Sequence, residues 1–163
     1  MEPILKEMLQ LLEGLKGING ELLELGKKKQ RELINGSLEA IETLTRQEQA
    51  LIIQAGRLEK ERSLCAGRLI SQYNLKDDAT LLDVITIGTP QEQREMELLF
   101  EDLTQIIGEL DKTNQENMSL IQQSLRYINF TVDVISQQSE RTTYAGDKSA
   151  KSIRESRLLD KKV

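Results

Sequence analysis

Apolar residues at intervals of four and three constrain this chain more than any other feature. The first segment sets Ile4, Met8, Leu11, Leu15, Ile18, Leu22 and Leu25 in that rhythm, a heptad seam along one face of an α-helix. Further leucines at 5, 12 and 23 widen the stripe beyond what one partner covers, so more than one neighbouring helix is expected. Gly14, Gly17, Gly20 and Gly26 each lower intrinsic helicity by up to about 1 kcal/mol relative to alanine. This helix therefore depends on its packing partners.

The stretch "INGSLEA" breaks the pattern. Asn35–Gly36 suits the left-handed conformation that ends a helix, and Ser37 suits the cap of the next. So short a break leaves two antiparallel helices side by side. Leu44, Glu48, Leu51, Ala55, Leu58, Arg62, Cys65 and Leu69 resume the spacing, with Glu48 and Arg62 read as register-setting or edge residues. Through "NLKDDATLLDVITIG" the period fails. Asp77, Asp78 or Thr80 can cap one short helix over Leu81–Ile85, with Gly88 ending it. "TPQEQ" then opens a long helix: Thr89 as cap, Pro90 at the first helical position, and Glu92 closing a capping box. From there Phe100, Leu103, Ile107, Leu110, Asn114, Asn117, Ile121, Ser124, Ile128, Thr131 and Ile135 alternate three and four.

The expected elements are helices at about 3–34, 38–73 and 90–137, with a short helix near 80–87. The fold class is all-α: an elongated antiparallel helical bundle, or coiled-coil-like hairpin, with a long third helix packed along it. Residues 1–138 form the helical domain. Residues 139–163, rich in Ser, Thr, Lys and Arg and without a lasting period, read as a flexible basic C-terminal tail.

Charge and composition exclude several functions. The net charge of −5 conceals a split. Residues 1–138 carry 15 Lys/Arg against 23 Asp/Glu, a net of −8, while residues 139–163 carry 7 against 4, a net of +3. An acidic body does not suit nucleic acid. No apolar run is long enough to span a membrane, and "MEPILKEMLQ" lacks the layout of a signal peptide. With a single cysteine the chain has no internal disulfide, which fits a cytoplasmic location.

Histidine is absent, which removes histidine bases, triads and zinc sites. Cys65 lies on the second seam and reads as a small buried hydrophobe. No phosphate-binding glycine loop follows a strand, so no cofactor is expected and the chain does not read as an enzyme. The basic run Lys27–Arg31 lies opposite Glu39, Glu42 and Glu48 in the predicted hairpin and is explained by cross-helix charge pairing.

The stretch "NQENMSLIQQSLRYINF" is more informative. Asn114, Asn117 and Ser124 interrupt an apolar seam, and buried asparagines specify register at a cost in stability. Ile121, Leu125 and Ile128, with the aromatic pair Tyr127 and Phe130, are either core or the edge of a groove for a partner helix. Leu158 and Leu159 stand in a charged tail too polar to bury them. With Ile153 and Val163 they are expected to dock on an apolar surface of an acidic bundle: this chain's own, a second copy's or a client's.

Taken together, "LINGSLEAIETLT", "LEKER", "NQENMSLIQQSLRYINF" and "TYAGDK … SRLLDKKV" give a chain that resembles the FlgN family of flagellar type III export chaperones across nearly its whole length. The resemblance implies a cytosolic helical protein that binds the hook-associated proteins FlgK and FlgL. It would prevent their premature assembly and deliver them to the export apparatus as a monomer or weak homodimer. It also implies substrate binding by the C-terminal part. The alternative reading is a self-associating coiled-coil scaffold, or an adaptor, without an export client.

Overall fold

The computed structural model describes the backbone of residues 2–76 and 78–159, and side chains through residue 143 apart from 77. The side chains of Ile153, Leu158 and Leu159, together with Val163 and the candidate cap Asp77, lie outside the described residues. Four helices follow in order: α1 (Pro3–Asn35), α2 (Leu38–Tyr73), α3 (Leu81–Ile85) and α4 (Pro90–Leu159). All regular structure among the described residues is helical. Packing divides the chain into two units, residues 1–120 and 121–163.

Local chemistry accounts for most of the boundaries. Proline stands at the start of α1, where its missing N–H costs nothing. Gly36 ends that helix at φ 76°, and its N–H donates to the Glu32 carbonyl at 2.9 Å. Ser37 enters α2 in an extended conformation; its hydroxyl makes no capping bond, but its backbone N–H joins that of Gly36 in donating to the Glu32 carbonyl, at 3.2 Å. At the far end Asn74 takes a left-handed conformation at φ 54°, which asparagine tolerates better than most residues.

Two reciprocal capping boxes follow. The Thr80 N–H donates to the Asp83 carboxylate at 2.7 Å, and the Asp83 N–H returns to the Thr80 hydroxyl at 3.4 Å. Thr89 and Glu92 repeat the arrangement at 2.7 and 3.4 Å. Helix α4 extends beyond the expected end near residue 137. No proline follows Pro90, and the hydroxyls of Thr142 and Thr143 bond back to the carbonyls of Gln138 and Ser139 at 2.8 and 2.9 Å. Such back-bonding lets threonine sit within a helix.

In the first unit α1 and α2 run antiparallel, joined near their ends by the ion pairs Lys29–Glu48 and Glu7–Arg68. The early part of α4 lies parallel to α1, as Lys16–Asp102 and Gln30–Glu116 show. Helix α1 therefore has two neighbours. Its deeply buried residues are Leu5, Met8, Leu11, Leu12, Leu15, Leu22, Leu23 and Gly26. The widened leucine stripe thus faces both partners, while Ile4, Ile18 and Leu25 of the expected seam are half-buried.

A continuous core joins Leu5, Met8 and Leu12 to Cys65 and Leu69 of α2, Val84 and Ile85 of α3, and Met96, Leu99 and Leu103 of α4. Each fully buried aliphatic or methionine side chain contributes about 1.5–3 kcal/mol of transfer free energy. On α2, burial concentrates at the end that joins this core: Cys65 and Leu69 are buried, while Leu44, Leu51, Ala55 and Leu58 are only half-covered.

The seam of α4 departs from the expected one at alternate positions. Leu103, Leu110 and Asn117 face inward as expected, but Leu99, Ile106 and Thr113 turn toward the bundle in place of Phe100, Ile107 and Asn114. Adjacent apolar residues at 99/100 and 106/107 leave the choice open. The fit at Thr113 favours one face. A side chain at Gly26 would place its Cβ 3.2 Å from the Thr113 methyl, so α1 and α4 approach closely there. The Thr113 hydroxyl is satisfied by the Glu109 carbonyl at 2.9 Å.

Candidate partner-binding surface

Cys65 is fully buried. Its Sγ donates to the Ile4 carbonyl at 3.6 Å, and burial pushes the thiol above its ordinary pKa. Such a thiol packs as a hydrophobe rather than attacking a substrate. No helix among the described residues is long and apolar enough to cross a membrane.

The polar residues of the seams sort into distinct roles. Glu48 pairs with Lys29 across the hairpin, both side chains being largely covered at 12% and 15% exposure. Arg62 instead pairs within its own helix, reaching Glu59 at 2.6 and 2.9 Å. Of the basic run, Lys29 meets α2, while Lys27 lies 3.7 Å from Glu24 and 3.8 Å from Glu109 of α4. Cross-helix pairing thus accounts for two of its members, and one of those reaches α4 rather than α2.

Asn117 is 2% exposed and Asn114 is exposed, so only the first is a buried polar position. The Asn117 amide donates to the Gly26 carbonyl at 2.9 Å, and its Oδ1 has no partner. A buried amide with one group unmatched penalises other registers more than it stabilises this one. The Gly26–Thr113–Asn117 contact thereby fixes how α4 lies against α1.

Within the second unit, α4 carries a second heptad run: Ile121, Leu125, Ile128, Val132 and Ile135. Leu125, Ile128, Val132 and Ile135 are 53–60% exposed and Ile121 is half-buried. At 3.6 residues per turn these five share one stripe. Tyr127, Phe130 and Val134 fall on the opposite side, where Tyr127 and Phe130 are 72% and 66% exposed. The aliphatic and aromatic residues named from the sequence therefore form two faces rather than one groove edge. Val132 completes the aliphatic stripe. Its signal in the sequence was the unbroken spacing from Leu125 through Ile135, obscured by the polar positions 124 and 131 of the neighbouring seam.

A helix with two exposed apolar faces has the geometry of a partner-binding strand: it can complete a coil with one or two further helices. The model of the FlgN protein family matches residues 1–152. The uncharacterized protein YvyG of Bacillus subtilis (strain 168) is 23% identical over 153 residues, covering 94% of each chain. No solved structure matches. The chain belongs to the FlgN family, a family of flagellar export chaperones.

Proposed function

We propose that this protein is a cytoplasmic export chaperone for hook-associated proteins of the FlgK and FlgL type. It holds them unassembled and hands them to the export apparatus. The observation that carries this reading is the exposed stripe Ile121–Leu125–Ile128–Val132–Ile135 on a helix of a chain in a chaperone family. Covering such a stripe with a client helix removes apolar surface from water at about 25 cal/mol per Å².

The opposite aromatic face, Tyr127 and Phe130, gives a second contact line for the same client or for an export component. Ile153, Leu158, Leu159 and Val163, carried by the basic C-terminal segment, are on this reading further apolar contacts for the client. Binding needs no nucleotide or metal.

The test is calorimetric titration of the purified chain with each hook-associated protein from the same cell. Saturable binding with a negative heat-capacity change is expected, since apolar surface is buried. Absence of binding to both clients, together with an obligate oligomer by light scattering, would favour the scaffold reading.

A further inference from the structure

Helix α1 has a third face, which neither α2 nor α4 covers. Lys16, Gly26 and Gln30 turn toward α4 and Lys29 toward α2. At 3.6 residues per turn the stripe Gly17, Glu21, Glu24, Lys28 and Arg31 points away from both. All five are exposed. Gly17, Glu21, Glu24 and Lys28 also line the rim of an open groove of about 640 Å³ between α1 and α2, whose apolar lining includes Leu25, Ala50 and Leu51. Lys28 and Gln47 border both this groove and its continuation toward the turn, which Arg31 lines.

The charges along this stripe are self-complementary. Glu21 and Glu24 lie on one side of position 26, and Lys28 and Arg31 lie on the other at matching distances. None of the ion pairs among the described residues involves Glu21, Lys28 or Arg31, and Glu24 has only the exposed Lys27 at 3.7 Å. A partner of single charge sign would gain on one half of the stripe and lose on the other. A second copy laid antiparallel gains on both. The intervals of four and three also give the offset at which antiparallel helices meet.

We propose that this face is a homodimer interface: two copies pair their α1 stripes antiparallel about a twofold axis level with Gly26. Glu24 then faces Lys28 of the second copy, and Glu21 faces its Arg31. An isologous interface forms each pair twice. Gly17 and Gly20 have nothing within 4 Å of where a Cβ would lie, so the second backbone can come close there. This surface is separate from the client stripe of α4, so the proposal stands or falls independently of the client.

Sedimentation equilibrium tests it with two charge-reversed variants, E21K/E24K and K28E/R31E. The wild type is expected to show a monomer–dimer equilibrium that weakens as salt is raised. Each variant alone should dimerise at least about tenfold more weakly, with unchanged melting at low concentration. An equimolar mixture of the two should restore the dimer, because every position again meets its opposite charge. A wild type that stays monomeric, a salt-insensitive dimer, variants that dimerise like wild type, or a mixture that fails to recover would each overturn the interface. Should either variant fail to fold, the salt dependence of the wild-type dimer decides.

Discussion

Replacing Gly17 and Gly20 with alanine should stabilise the protein, although both lie in the middle of a 33-residue helix that packs on two sides. An interior helical glycine costs about 0.8–1 kcal/mol relative to alanine, through backbone entropy in the unfolded chain. At Gly17 and Gly20 a Cβ would meet nothing within 4 Å, so no steric term offsets that gain. The double variant should gain about 1.5–2 kcal/mol, or roughly 3–8 °C in Tm for a chain of this size. Gly26 provides the control. Its Cβ would come within 3.2 Å of the Thr113 methyl, at the contact that fixes α4 on α1. G26A should therefore gain little or lose stability. Thermal and urea unfolding followed by far-ultraviolet circular dichroism, at concentrations where the chain is monomeric, would read both. A G17A/G20A protein less stable than wild type, or a G26A protein that gains as much as G17A, would refute the packing argument. If the groove is the dimer interface, the same double variant should also dimerise more weakly.

Asn117→Leu should raise thermal stability by about 1–2 kcal/mol by removing a buried unmatched amide and should broaden the oligomeric distribution, while Asn114→Leu should be near neutral; light scattering and melting measure both. Glu48→Gln leaves Lys29 largely covered without its counter-charge and should cost about 3 kcal/mol in urea unfolding. Asp83 and Glu92 are held below the ordinary carboxylate range, chiefly by the backbone N–H groups of Thr80 and Thr89. Their lowered values mean a contribution that is present above the unfolded pKa values of about 4–4.5 and lost as pH falls through the lowered ones. D83N/E92Q should accordingly lower stability at neutral pH while changing little below the lowered pKa values, so that the acid limb of the stability–pH curve flattens.

The elements were legible because their ends carry chemistry that acts locally. Gly36, the Thr89–Pro90–Glu92 opening and the leucine excess of α1 each state a conformation or a second neighbour without help from the rest of the fold. The rotation of α4 was less so. Leu99 beside Phe100 and Ile106 beside Ile107 offer two seams of equal hydrophobicity, and the close approach of Gly26 to Thr113 separates them only in three dimensions. For the same reason the sequence paired Asn114 with Asn117, although one residue of rotation exposes the first and buries the second. Past Gln138 a composition rich in serine and threonine suggested an end to the helix, but the hydroxyls of Thr142 and Thr143 bond back to the carbonyls one turn before them. Ile121, Leu125, Ile128, Tyr127 and Phe130 were identifiable from the sequence as core or surface. Their exposure and their division between two faces required the fold.

The central claim is that the exposed aliphatic stripe of α4 captures an export client. Calorimetric titration of hook-associated protein into wild type and into L125S/I128S tests it most directly. Both side chains are more than half exposed, so the variant should melt as the wild type does. Client affinity should nevertheless fall at least about tenfold, or 1.4 kcal/mol. A variant that binds the client as tightly as wild type, with its fold intact, would contradict the account.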